Sequence, residues 1–260
     1  MSGLLDEIDG VVCDLDGVIY RGDRPIEGSP DAVEELRRRG IKVVFCTNNS
    51  APTVSEYLAK LENMGVDASH EEVVTSAVVA GEVLRDRGLA GSDALVVGGP
   101  GVIEALEQVG LEIVKGSTEV DVVAVGRDKS FDFAALDAAA EAVRSGATFI
   151  ATNDDATYPG ESGLEPGAGA IVAAVEVASG RRAEIVGKPH PPMMEAASRR
   201  FPPNSRLAMV GDRAETDLWG AASMGWKTVL VLSGVTSAEE AAKLEPRPDA
   251  ILNQLSELTH

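Results

Sequence analysis

Short apolar runs alternate with amphipathic stretches along the whole chain. Ile8 to Leu15 and Ile41 to Cys46 read as buried strands. Between them, Pro30 to Arg39 reads as a helix: proline near its start, Ala32, Val33 and Leu36 on one face, Gly40 as its stop. Val54 to Met64 is a second amphipathic helix, followed by a short strand at Glu72 to Thr75 and a helix over Ala77 to Arg87. The pattern then restarts. Strands are expected at Ala94 to Val97, Val120 to Gly126 and Thr148 to Ala151, and helices at Val102 to Val109, Phe131 to Arg144 and Gly167 to Ala178. Near the end, Arg206 to Val210 and Thr228 to Leu232 read as strands flanking a helix near Asp217 to Met224. Strands alternating with helices of this length predict an α/β fold with parallel sheet and right-handed crossovers.

Composition adds limits. The chain has 260 residues, 44% of them hydrophobic, enough for one large domain or two modest ones. No apolar run approaches the roughly 20 residues that cross a bilayer, and the acidic start does not read as a signal peptide. The expected compartment is the cytoplasm. A formal net charge of -19 disfavours nucleic acid and anionic membranes as partners. The acid is spread along the chain and lysine is scarce beside arginine, as on a solvated, salt-adapted surface. Stability is then expected to rise with ionic strength, and a halophilic source fits. Cys13 and Cys46 each sit near the end of an apolar run and are expected to be buried free thiols.

Candidate chemistry falls at strand ends. Asp14 and Asp16, two residues apart, would share one face at the end of the first strand, before Gly17. They are either a solvated pair or two carboxylates held by a divalent cation, for which oxygen ligands suit Mg²⁺. Thr47, Asn48, Asn49 and Ser50 follow the second strand as either an ordinary capping turn or a cradle for phosphate oxygens. Lys188, in Val186-Gly-Lys-Pro-His190-Pro-Pro, is either a surface lysine or a fixed cation facing phosphoryl charge; His190 reads as its surface neighbour. Asp212, after Met209-Val-Gly211, either closes a turn or completes a metal site that Asp217 supports. The Val97-Gly-Gly-Pro-Gly101 cluster lacks the spacing and acidic partner of a dinucleotide site and reads as a turn.

Taken in this order, the four motifs resemble the haloacid dehalogenase superfamily of phosphohydrolases. Asp14-Leu-Asp-Gly-Val-Ile-Tyr-Arg-Gly22, Cys46-Thr-Asn-Asn-Ser50, Thr152-Asn-Asp-Asp155-Ala-Thr-Tyr-Pro159, Pro166-Gly-Ala-Gly169 and Val231-Leu-Ser-Gly-Val-Thr-Ser237 look like its NagD-like branch. The resemblance implies a Rossmann-like core over residues 1–81 and 182–260, with a C2-type α/β cap over 82–181. It also implies a Mg²⁺-dependent phosphatase acting on a small phosphorylated metabolite through a phospho-aspartate. Asp14 would be the nucleophile, and Asp16 the acid and then the base. Thr47, Asn48 and Lys188 would bind the phosphoryl group. Metal would be held by Asp14, the Asp16 backbone carbonyl, Asp212 and nearby Asp217. Asn153, Asp155 and Tyr158 would belong to the cap loop that reads the leaving group, whose acidity (Asp154, Asp155, Glu161, Glu165) either disfavours highly charged substrates or continues the acidic surface. Nearby negative charge and partial burial would raise the Asp16 pKa. The branch also suggests a homodimer. A phosphomutase on the same fold and a non-catalytic phosphometabolite-binding protein are the alternatives; a silent member should have lost Asp14, Asp16, Lys188 or Asp212, and all are present.

Overall fold

The computed structural model describes residues 2–160 and 163–259; Glu161 of the cap loop lies outside them. The chain divides into two compact units. One gathers the chain up to Thr47, Ser55–Val74 and everything from Lys188 onward; the other gathers Asn48–Val54 and Thr75–Gly187.

The first unit is built on a six-stranded sheet in the order Ala250–Leu252, Lys227–Val231, Leu207–Gly211, Gly10–Cys13, Lys42–Thr47, Val73–Thr75. The first five strands run parallel, with Val11 opposite Ala208 on one side and Val43 on the other. Parallel strands covered on both faces need unbroken apolar runs, and every residue of Gly10–Cys13 is buried. That strand is shorter than the expected Ile8 to Leu15 for two reasons. The Asp9 carboxylate is held by the Arg206 backbone N–H at 2.8 Å. The Leu15 carbonyl accepts the N–H of Ile19 at 2.9 Å, which turns the chain. The helices Ser29–Arg38, Val54–Asn63 and Pro191–Ser198 belong to this unit. Gly40 does stop the first, at φ +80°.

The second unit has its own five-stranded parallel sheet: Glu184–Ile185, Thr148–Ala151, Val122–Val125, Asp93–Val97, Glu112–Ile113. Its helices are Ser76–Asp86, Pro100–Gln108, Phe133–Arg144 and Ala168–Ser179. Local chemistry sets their starts. The Thr75 hydroxyl accepts the Val78 N–H at 3.1 Å, and the Asp132 carboxylate accepts that of Ala135 at 2.8 Å. Val123, Val125, Val143, Phe149, Val172 and Val175 close the core between sheet and helices.

The expected long elements are present within a few residues. The helix near Asp217 to Met224 is the exception in kind: a π-helical turn over Ala214–Leu218 runs into a short α-helix over Trp219–Ser223. Short elements escaped the hydrophobic pattern, among them the hairpins Tyr20–Arg21/Arg24–Pro25 and Thr157–Gly160/Gly163–Pro166 and the strand Ala250–Leu252. Two or three residues carry too little periodicity to read. The helix Pro191–Ser198 was hidden behind a double proline, which fits its first turn. Among the described residues no helix is long and apolar enough to cross a membrane.

Candidate active site

The carboxyl end of the first sheet collects the charged residues. Asp14 follows the Gly10–Cys13 strand, and its N–H donates to the Val210 carbonyl at 2.9 Å, so the sheet pairing continues through it. Asp212 follows the neighbouring Leu207–Gly211 strand, and Asp217 lies on the π-helical turn beyond. Ligand oxygens of Asp14, Asp212 and Asp217 all lie within 4.8 Å of one another, and all three residues are buried. Parallel pairing of adjacent strands brings together residues nearly two hundred positions apart.

Buried carboxylates at this spacing need positive charge. Lys188 supplies one: its Nζ donates to Asp14 Oδ1 at 2.5 Å, to Asp217 Oδ1 at 2.7 Å and to the Cys46 carbonyl at 3.0 Å. Lys188 is only 2% exposed, which settles its two readings against a surface lysine. Burial by itself would lower its pKa; the Asp14 and Asp217 carboxylates outweigh that and hold it well above the ordinary lysine value. Burial pushes Asp14 well above the carboxylate range, with Asp217 and Asp212 adding to the shift and Lys188 opposing it. Asp212 is pushed up to about 6, first by burial and then by the Asp217 charge.

Backbone donors fix the acids. Asp217 Oδ2 accepts the Arg213 N–H at 3.0 Å, so both its oxygens are engaged. Asp212 Oδ2 accepts the Val235 N–H at 2.7 Å, and its carbonyl accepts the Thr236 hydroxyl at 2.5 Å. Gly17, at φ +81°, lets the turn after Asp16 pass this carboxylate: a Cβ there would lie 2.5 Å from Asp212 Oδ2.

Asp16 is half-buried and bridges to Tyr20. Its pKa is raised, as expected, and of the two expected causes only burial acts. Burial alone raises it, while its charged neighbours Lys60, Lys188 and Arg213 are cations and lower it. Nearby negative charge, invoked from the Asp14–Asp16 spacing, is therefore not the source. Thr47 is buried at the end of its strand. Cys13 and Cys46 are free and buried, as expected, and burial pushes the Cys46 thiol up to about 12.

The second unit holds the remaining candidates, and they contact one another. Asn48 Nδ2 donates to Asp155 Oδ2 at 3.0 Å, and the Asn48 carbonyl accepts Asn153 Nδ2 at 2.7 Å and the Ser76 hydroxyl at 2.6 Å. Asn49 Nδ2 donates to the Tyr158 hydroxyl at 3.2 Å, and the Arg127 guanidinium lies 4.2 Å from the centre of the Tyr158 ring. Arg127 and Lys129 both pair with Glu165, so that part of the loop's acidity is neutralised locally. Gly99 and Gly101 pack against Ala51 and Pro52, and the Gly101 N–H donates to the Ala51 carbonyl at 2.8 Å. The glycine cluster is thus a packing turn, as expected. His190 is half-buried and starts the Pro191–Ser198 helix.

Sequence reasoning did not single out Ser76, Arg127, Arg213, Val235 or Lys60. Val235 had a signal, within the Val231 to Ser237 stretch, and so had Arg213, four residues before Asp217; Ser76, Arg127 and Lys60 act through long-range contacts that no local pattern shows.

The protein is thus a parallel α/β fold with buried acids and a lysine at the carboxyl edge of its sheet, where such folds bind ligands. Comparison narrows the class. Residues 11–112 match the family of haloacid dehalogenase-like hydrolases, and residues 185–258 match a second hydrolase family of the same type. The acid sugar phosphatase of Staphylococcus haemolyticus is 39% identical over 242 residues, covering 92% of this chain and 90% of that protein. The structure of a 4-nitrophenylphosphatase from Thermotoga maritima superposes with a TM-score of 0.91 at 35% identity, covering 98% of both chains. A glycerol phosphate phosphatase from Mycobacterium tuberculosis, solved in complex with magnesium, gives a TM-score of 0.88 at 36% identity, covering 98% of this chain and 77% of that one. The chain belongs to the haloacid dehalogenase-like hydrolase family. The fold class and the family expected from the motifs are borne out.

Proposed function

We propose that this protein is a Mg²⁺-dependent phosphatase that hydrolyses a small organic phosphate monoester through a phospho-aspartate on Asp14. The observation that carries the reading is Lys188, buried and clamped between Asp14 and Asp217 beside the three-carboxylate cluster. A carboxylate cannot approach a phosphate dianion until charge is cancelled, and a buried, rigid cation does this at little reorganisation cost.

In this reading Asp14 attacks phosphorus and the bond to the leaving oxygen breaks, while Asp16 gives that oxygen its proton. Asp16 then takes a proton from water, the water oxygen attacks the phospho-aspartate, and Asp14 and Asp16 return to their starting states. Burial of Asp16 favours the protonated form that the first step needs. Lys188, Thr47 and Asn48 hold the phosphoryl oxygens.

The donor set fits a hard divalent cation: all the clustered side-chain ligands are carboxylate oxygens. Asp14, Asp212 and the Asp16 backbone carbonyl would hold Mg²⁺. Asp217, committed on both oxygens, would support from outside. The metal would supply charge neutralisation at the phosphoryl group. The second unit would be the cap, with Asn153, Asp155 and Tyr158 beside Asn48 and Asn49 as leaving-group readers. Relatives named for sugar and glycerol phosphates favour a polyol or sugar phosphate. A cytoplasmic homodimer completes the proposal.

Phosphate release from p-nitrophenyl phosphate at high salt, with and without Mg²⁺, tests it. Wild type should show Mg²⁺-dependent release, and Asp14→Asn should lose at least about a thousandfold in kcat. Folded wild-type protein without release under any salt or metal would sink the reading. Transfer of phosphate to a sugar hydroxyl in place of water would favour a mutase.

A further inference from the structure

The first unit carries a cavity that the proposed chemistry does not use. It has a volume of about 310 Å³ and lies beside the starts of Lys227–Val231 and Ala250–Leu252, the edge of the sheet opposite the acids. That is at the lower end for a small-molecule site, roughly 300–1,000 Å³. Trp219 and Trp226, the only two tryptophans of the chain, both line it, with Pro246 and Pro248. Trp219 remains 42% exposed, an unusual cost for so large an apolar side chain with no partner over it.

The polar groups of the cavity are mostly committed. Lys227 pairs with Glu7 at 3.0 Å and Asp249 at 3.3 Å. Asp249 accepts the Thr228 N–H at 2.9 Å and its hydroxyl at 3.0 Å. Arg247 is different. It lines the cavity, is exposed, and makes no hydrogen bond or ion pair among the described residues, although the chain carries 42 acidic residues. Aromatic faces bind planar rings, and an uncommitted guanidinium binds a carboxylate, sulfonate or phosphate.

We infer that this cavity is a second ligand site, for a planar aromatic molecule bearing one anionic group. It does not depend on the catalytic reading. The two sites are nonetheless joined in the fold: the wall of the cavity includes Ala214 and Leu218, the two ends of the π-helical turn that carries Asp217. An occupant restrains the turn that positions Asp217 against Lys188. π-Helical turns are rare and concentrate at functional sites.

The probe is 4-nitrobenzenesulfonate, a planar aromatic anion with no phosphate ester to hydrolyse. Added to the full-length protein with Mg²⁺ and saturating inorganic phosphate, it should quench the tryptophan fluorescence to a saturating value, since both emitters line the cavity. Arg247→Glu should weaken binding at least tenfold, with an unchanged circular dichroism spectrum and unchanged p-nitrophenyl phosphate turnover. Neutral nitrobenzene should bind at least tenfold more weakly than the sulfonate. Quenching that never saturates would overturn the inference. So would equal affinity in Arg247→Glu, or competitive inhibition of p-nitrophenyl phosphate turnover by the probe, which would place it in the catalytic site. Should Arg247→Glu fail to fold, Arg247→Gln and the nitrobenzene comparison distinguish the same outcomes.

Discussion

The two units share an architecture and differ in chemistry. Each is a parallel sheet covered by helices, and each ends its central strands in residues that break the apolar run. In the first unit those residues are Asp14 and Asp212, with Lys188 among the acids. In the second, Val97 is followed by Gly98 and Gly99, Val125 by Gly126, and Ala151 by Thr152 and Asn153. These residues are uncharged and tightly packed: the Ser50 and Thr152 hydroxyls hydrogen-bond at 2.9 Å, and a Cβ on Gly126 would lie 2.7 Å from Ser50 Oγ. A parallel sheet therefore offers an edge where ligands bind, and the residues placed there decide whether the edge does chemistry or only holds shape.

Removing the lysine is the strongest test of that contrast. Lys188→Met leaves Asp14 and Asp217 buried without their shared cation, and losing one partner of a buried pair costs about 3–5 kcal/mol. We expect activity to vanish and the urea midpoint to fall, with Mg²⁺ restoring part of the stability because it replaces the missing charge. A variant as stable as wild type in EDTA would show that the charged edge is not a coupled cluster.

Asp217→Asn is the next test. It keeps size while removing the charge behind Lys188 and Asp212, so the Mg²⁺ concentration for half-maximal rate should rise about 10–100-fold. Titrating phosphate release against Mg²⁺ measures this; loss of kcat at saturating metal would instead place Asp217 in the chemistry itself.

pH separates the charged edge from the neutral one. The Asp212 pKa is raised to about 6 from 3.8. The folded, metal-free protein thus binds more protons than the unfolded chain between these values, and Asp212 makes it more stable as pH falls from about 6 toward 4. Mg²⁺ needs the ionised form, so its apparent affinity should fall below about pH 6. Calorimetry at pH 5 and pH 7 checks both signs. The neutral edge of the second unit supplies no such term.

The smallest effect is expected in the second unit. Tyr158→Phe removes the hydroxyl that accepts from Asn49, worth about 0.5–1.5 kcal/mol. KM should change less than tenfold, and kcat for p-nitrophenyl phosphate should hold. A collapse of kcat would mean that this network orders the phosphate loop and not only the leaving-group side.

The sequence by itself determined the longer strands, most helices and the residues of the charged edge. Their signals are local: apolar runs ended by Asp14, Thr47 or Asp212, and a Gly-Lys-Pro turn at Lys188. It left open whether Asp14 and Asp16 formed a solvated pair or a metal site and whether Lys188 lay on the surface, because burial is not written in a tripeptide. Tertiary structure decided those points. Parallel pairing of Gly10–Cys13 with Leu207–Gly211 put Asp14 beside Asp212, and a hydrogen bond across 29 positions placed Lys188 on Asp217. It likewise decided that burial, opposed by Lys60, Lys188 and Arg213, raises the Asp16 pKa, and that Asn48 and Asn49 meet Asp155 and Tyr158 more than a hundred residues away. The physical reason is the same throughout. Periodicity reports which face of an element is apolar; the field at a buried group depends on what the other elements bring to it.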